Sequence, residues 1–298
     1  MTFKKRLMEV RFELGTGDFG DGKSNAVTFK SPIRMRADIT YAGDTSMGNL
    51  ALRVYGIPLD IMAKLTVLNK QGLGYVRKNI VTVSAGDDEN GLSACFSGAI
   101  MEAWADLRSS PDSMLVLSAF TGPDQTFMPI KPTSYRGTVD VATVLAGLAA
   151  QCNPRLTLEN SGVNVQISNP YLAGNLFDQI KTIATQANIN CVINPDGAGS
   201  VLAIWPKGKE RNGQIATISK DTGLVGYPAF SQNGIQLSTL YNPSLTFGRR
   251  VNIQSVLPQA SGVWRIDHVS HNLESETPNG AWFTSIECGL LGAPVGIR

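Results

Sequence analysis

Residues 242–255 read Asn-Pro-Ser-Leu-Thr-Phe-Gly-Arg-Arg-Val-Asn-Ile-Gln-Ser, and after a loop residues 264–275 read Trp-Arg-Ile-Asp-His-Val-Ser-His-Asn-Leu-Glu-Ser. Asn242-Pro243 can open a turn, and Gly248 can supply the positive φ that a tight connection needs. Val251 and Ile253 then alternate into a core, because side chains on a strand switch faces with period two. Trp264 and Trp282 are large enough to fill a small barrel. The whole stretch from 209 to 298 lacks a helical period and reads as an all-β unit.

The first third alternates in the same way. Met8, Val10, Phe12 and Leu14 fall on one side, and Glu9, Arg11 and Glu13 on the other. Ile33, Met35, Ala37, Ile39 and Tyr41 alternate with Arg34, Arg36, Asp38 and Thr40. Both runs predict half-buried antiparallel strands around a glycine-rich loop. Leu50, Leu52 and Val54 continue as a strand. Pro58 opens a short helix over LDIMAKLTVLN, with Ile61, Leu65 and Leu68 as its apolar stripe. NIVTVSAG and LSACFSGAIMEAWADL follow as strands joined by the turn DDENG. Ser110-Pro111-Asp112 then turns the chain into SMLVLSAFTG. Many short strands with frequent turns predict a barrel or sandwich.

Near Tyr135 the pattern changes. Thr138 can cap a helix from about Val139 to Gln151 whose face carries Val141, Val144, Leu145, Leu148 and Cys152. A strand with Val163, Val165 and Ile167 comes next, and Asn169-Pro170 breaks it. A second helix, from about Asn175 to Asn188, presents Leu176, Ile180, Ile183 and Ala187. NCVIN and VLAIW close a small α/β unit, and Lys207 to Asn212 (KGKERN) reads as a polar linker. The expected division is therefore 1–134, an N-terminal barrel; 135–208, a small α/β domain; and 209–298, a C-terminal barrel. The fold class is mainly β (α+β): two antiparallel barrels with an α/β domain between them.

Composition narrows the function. Hydrophobic residues make up 43% and charged residues 17%, which is globular, and the net charge of +2 provides no global field to hold nucleic acid or an anionic membrane. Arg249-Arg250 is the one basic doublet worth weighing, as a solvated edge or a phosphate clamp. Cys95, Cys152, Cys191 and Cys288 show no CxxC or Cys/His spacing and read as reduced core residues of a protein made in a cytoplasm. No run of 18 apolar residues occurs, so no membrane span is expected, and Glu9, Arg11 and Glu13 interrupt any signal-peptide core.

Gly17-Asp-Phe-Gly-Asp-Gly22-Lys23-Ser24 satisfies the GxxxxGK[ST] pattern of a phosphate loop. Such a loop follows a buried strand and opens a helix whose amides hold phosphate. Here the preceding strand has a charged face, a strand-like NAVTFKSP follows, and Asp18 and Asp21 would repel phosphate. It reads as a hairpin loop. Calcium at Asp18 and Asp21, or at Asp87-Asp88-Glu89, lacks the spaced oxygens of a complete shell. His268 and His271 stand three apart, on opposite faces of a strand, and cannot chelate jointly without a bend. No GxSxG elbow accompanies them. Glu102, Asp106, Glu274 and Glu276 are candidates for a hydrolytic carboxylate pair by residue type alone. No catalytic, cofactor or metal residue is assigned.

Thr222-Gly-Leu-Val-Gly-Tyr-Pro228, Asn242-Pro243 through Ser255, Trp264 through Ser275, and Asn279-Gly-Ala-Trp282-Phe-Thr284 together resemble the final barrel of baseplate hub proteins of contractile phage tails. Phe96-Ser-Gly-Ala-Ile100, with Ala103 and the Ser-Pro turn, is similar to the first barrel of that family. The α/β insertion falls in the matching place. In motif detail the resemblance rests on residues 222–284. It implies two tail-tube-like barrels, a homotrimeric ring, and a structural rather than enzymatic role in the virion, assembled in the bacterial cytoplasm. A six-fold tail tube protein would bind one face and a separate three-fold spike protein the other, with tape-measure and wedge proteins as further neighbours. DNA would pass without sequence-specific binding, and no cofactor is implied. Two other readings stay open: a virion module binding cell-surface carbohydrate, and a hydrolase with a spatially assembled carboxylate pair.

Overall fold

Side chains that alternate in sequence separate onto two faces in space. The computed structural model of the chain describes residues 4–20, 22, 24–42, 46–67, 79–108, 111–122, 130–152, 156–196 and 199–292. The chain runs β1 (Arg6–Glu13), β2 (Ala26–Lys30), β3 (Met35–Ala42), β4 (Asn49–Tyr55), α1 (Leu59–Leu65), β5 (Ile80–Asp87), β6 (Gly91–Asp106) and β7 (Met114–Thr121). It continues through β8 (Thr133–Ser134), β9 (Thr138–Asp140), α2 (Val141–Ala150), β10 (Leu156–Asn160), β11 (Gln166–Ser168), β12 (Tyr171–Leu172), α3 (Leu176–Gln186), β13 (Ile189–Asp196) and β14 (Gly199–Pro206). Last come β15 (Ala216–Ile218), β16 (Leu224–Ser231), β17 (Gly234–Leu240), β18 (Arg250–Ile253), β19 (Gly262–Ser275) and β20 (Trp282–Gly289).

The described protein is mainly β with three short helices. Thirteen strands join in one large, predominantly antiparallel sheet, ordered β16-β17-β20-β19-β3-β4-β7-β6-β5-β1-β2, with β18 on β19 and β15 on β18. Among the described residues this path has two ends and does not close into a hydrogen-bonded barrel, where the sequence predicted two. Pro228 lies within the end strand β16 and has no N–H to donate to a further strand.

The chain divides into two compact units: 1–40, 48–122 and 271–282 in one, and 41–47, 123–270 and 283–298 in the other. In the first, Met8, Val10 and Phe12 of β1 lie opposite Ala85, Val83 and Val81 of β5. Met35, Ala37 and Ile39 of β3 lie opposite Val54, Leu52 and Leu50 of β4. All of these are buried, joined by Met62 and Leu65 of α1. The other face of these strands carries Glu9, Arg11 and Glu13 beside Ser84 and Thr82, and Arg36 and Asp38 beside Arg53 and Ala51. β6 is long enough to serve two neighbours. Its first half pairs β5 and its second half β7, with register shifts at Val83/Ser84 and Ile100/Glu102 that bend it.

In the second unit the three-stranded sheet β10-β14-β13 is buried on both faces. Cys191 and Ile193 of β13 and Leu202 and Ile204 of β14 pack with Val144, Leu145 and Leu148 of α2 and Ile180 and Ile183 of α3. The alternate residues Val192, Val201, Ala203 and Trp205 pack with Phe247. This double burial is why both strands read as nearly continuous apolar runs. Trp205 and Phe247 meet with centroids 5.5 Å apart. Gly248 follows at φ 83, the positive value predicted for it. Its N–H donates to the Ile266 carbonyl and its carbonyl accepts from the Arg211 N–H.

Several local expectations shift. Asp140, not Thr138, caps α2, because its carboxylate accepts from Thr143 N at 3.0 Å while Thr138 sits in β9. Helix α1 ends at Leu65 with Met62 and Leu65 inward; the predicted Leu68 lies outside the described residues. The strand β10 was not predicted, and the 163–167 run contributes the short β11. KGKERN is no free linker: the Arg211 side chain is 4% exposed and its backbone is pinned to Gly248.

A Cβ built on Gly248 would stand 2.5 Å from Trp205 Cζ2, whereas one on Gly226, at φ 71, meets nothing within 4 Å. Gly248→Ala is therefore expected to lower unfolding free energy by about 2–4 kcal/mol, against about 1–2 kcal/mol for Gly226→Ala, where only the left-handed backbone is penalised. Urea titration of both variants measures the difference.

Candidate functional site

The phosphate-loop pattern folds as a hairpin. Leu14 N–H donates to the Asn25 carbonyl at 2.7 Å, Phe19 N–H to Ser24, and β2 returns antiparallel along β1 with no helix after it. Asp18 closes a local turn by accepting from Gly20 N–H at 2.9 Å. Asp21 and Lys23 lie outside the described residues. In the acidic turn, Asp87 accepts from the backbone of Glu89 and Asn90, Asp88 from Lys5 N–H, and Glu89 pairs with Lys4 at 2.8 Å. The Asn90 hydrogen bonds hold the Asp87 pKa below its ordinary value. These carboxylates are occupied in holding turns.

The two histidines share β19 but not an environment. His271 is 5% exposed, and burial pushes its pKa down to about 4, while His268 is half-buried. Asp267 is taken by Arg265, itself 1% exposed, at 2.6 and 3.0 Å. No group of three His, Cys, Asp or Glu side chains able to hold a metal occurs among the described residues. Of the four hydrolytic candidates, Asp106 and Glu274 are each tied to a cation. Asp106 pairs with Arg108 at 2.6 Å, whose hydrogen bonds hold its pKa near about 2, and Glu274 pairs with Arg36 at 3.1 Å. Arg36 also bonds Asp38 at 3.0 Å, and Arg11 bonds Glu13 at 2.7 Å. The open face of the first unit's strands thus carries cations and carboxylates locked to each other. None of the four cysteines is in a disulfide, and all four are buried.

One cluster had no local signal. Glu159, at the end of β10, accepts from Arg211 Nε at 2.7 Å and Nη2 at 2.6 Å. Ser161 Oγ donates to Glu159 and accepts from Asn212 N–H at 3.0 Å. With its amide turned to satisfy both ends, Asn194 accepts from Arg211 Nη1 at 2.9 Å. Arg249 Nη2 stands 4.0 Å from Glu159, so half of the basic doublet turns inward. Burial alone would raise the Glu159 pKa, but the two arginines hold it below its ordinary value. The acid and its main partner are 52 residues apart, a distance over which no spacing rule operates.

Arg265–Asp267 and Arg36–Asp38 are local pairs two residues apart, whereas Arg36–Glu274 and Arg211–Glu159 join separate segments of the chain. A family model described as baseplate hub gp41 matches residues 7–286. The chain belongs to the baseplate hub gp41 family. No curated protein sequence matches it. Solved structures of similar fold include a tail protein from Neisseria meningitidis MC58, with TM-score 0.59, 11% identity, and coverage of 95% of this chain and 96% of that one. A second is an Escherichia coli component of the type VI secretion system, described as similar to the T4 bacteriophage tail proteins gp27 and gp5, with TM-score 0.58, 10% identity, and coverage of 94% and 76%. A third belongs to a Francisella PdpA–VgrG complex, with TM-score 0.59, 7% identity, and coverage of 99% and 54%. At such identities the likeness is one of fold. The baseplate hub is a phage tail structural protein, in keeping with charged groups that fasten strands. No helix among its described residues is long and apolar enough to cross a membrane.

Removing one partner of a buried pair strands the other. Arg211→Met in this hub protein is expected to cost roughly 2–4 kcal/mol, below the fully buried case because Glu159 keeps some water. The pair's contribution is present above the unfolded carboxylate pKa and lost as pH falls through the lower folded value. Arg211→Met removes that acid-side slope in urea titrations run across pH. His271 acts over a higher window. Its folded pKa of about 4 lies below the ordinary 6.5, so its contribution declines as pH drops from 6.5 toward 4. His271→Gln is expected to flatten the stability curve over that interval.

Proposed function

We propose that this chain is the central hub of a contractile-tail baseplate: a homotrimeric ring that joins a six-fold tail tube to a three-fold spike and lets DNA pass. The observation that carries the reading is the hub family match across residues 7–286, reinforced by tail and secretion proteins sharing the fold over most of this chain. In this reading residues 1–134 and 209–298 act as two tail-tube-like barrels, completed by neighbours in the ring, with 135–208 as the α/β domain between them. Three copies then offer six similar units to the tube, which is how three-fold symmetry can meet six-fold.

The tail tube protein and a separate spike protein are its partners, with tape-measure and wedge proteins adjoining, and the protein works in the virion after assembly in the host cytoplasm. That one similar fold was solved within a PdpA–VgrG complex supports a role in assembly. The role is structural and needs neither catalysis nor cofactor. Low net charge and cations already paired with carboxylates suit a channel that must not retain a polyanion. The purified chain at micromolar concentration is expected to have a native mass three times 31.9 kDa and to show rings with a central hole in negative stain. A monomer at every concentration, or compact particles without a hole, would overturn the ring.

A further inference from the structure

The strand β16 ends the large sheet, and its makeup is unusual for an exposed edge. It reads LVGYPAFS, pairs only with β17 among the described residues, and all but one of its eight residues are accessible. Tyr227 is 73% exposed, Phe230 59% and Val225 41%. In a chain that is 17% charged, no Asp, Glu, Lys, Arg or His occurs anywhere from Thr222 to Gly248. Free edges are ordinarily defended by charged side chains, because they template pairing with other chains. Loss of charge with exposed Tyr and Phe is the composition of an interface core.

We infer that β16 is the contact through which one copy of this chain meets the next, with Tyr227 and Phe230 as its anchors. This rests on the hub-ring reading and adds the surface that makes the ring. A second copy is the occupant because the chain itself brings a free edge: β2, at the other end of the same strand path, also pairs on one side only among the described residues. Head-to-tail contact between copies is heterologous and closes into a ring when the rotation permits. A foreign partner on β16 would leave the other edge bare.

Pro228 and the register shift between Val225 and Ala229 limit how far a strand could add by main-chain bonds. The contact is therefore carried chiefly by side chains.

The double variant Tyr227→Glu/Phe230→Glu is expected to run at one times 31.9 kDa where the parent runs at three times, to keep the parent's circular-dichroism spectrum because both side chains are exposed, and to lose the rise of unfolding midpoint with protein concentration that a trimer shows. As a second readout, the four native cysteines are buried, so Ser231→Cys, beside the anchor Phe230, offers an exposed thiol that leaves both anchors in place. Maleimide should label it more slowly in the assembled fraction than in the same protein dissociated by mild urea. If the parent is trimeric and the double variant is too, or if the thiol labels equally fast in both states, the β16 contact is wrong and the ring stands. If the parent never leaves the monomer, the ring reading fails and takes this contact with it.

Discussion

A large sheet must hide one face from water, and most of this molecule follows from that demand. In β1, β3, β4 and β5 every second side chain is apolar and buried, so the register of each strand is fixed by the face it must present. A slip of one residue would turn Met8, Val10 and Phe12 outward and bring Glu9, Arg11 and Glu13 into the core. The opposite face is then left to polar groups, and the protein fills it with hydroxyls and with cations held by carboxylates.

The small sheet β10-β14-β13 obeys a stricter version of the same constraint. Helices α2 and α3 cover one face, and Trp205 and Phe247 fill the other. With no face left for water, the polar groups at its margin must find partners inside the protein. Glu159, Arg211, Ser161 and Asn194 supply them to one another. Gly248 matters because a side chain there would enter the ring of Trp205, and because its backbone holds Arg211 in place.

These interactions hold segments of a phage tail structural protein in place. Arg265 is held by its neighbour Asp267, and Arg36 by Asp38 on its own strand and by Glu274 of β19. The outer sides of β16 and β2 pair with no further strand among the described residues. In the proposed ring, neighbouring copies cover such ends.

The sequence by itself determined the elements whose cause is local. Period-two alternation gave β1 and β3, period 3.6 gave α2 and α3, and the turn chemistry of Asn242-Pro243 and Gly248 was legible because φ and turn preferences act over a few residues. The glycine-rich loop could be read as a hairpin because its flanking strand carried charge. Only the tertiary structure decided what depends on distant partners: that Arg211 leaves its polar run to bond Glu159, that Asp140 outcompetes Thr138 as a cap, and that β3 lies beside β19 in one continuous sheet. Pairing across such separations is settled by which surfaces can be buried together, and no spacing along the chain encodes that.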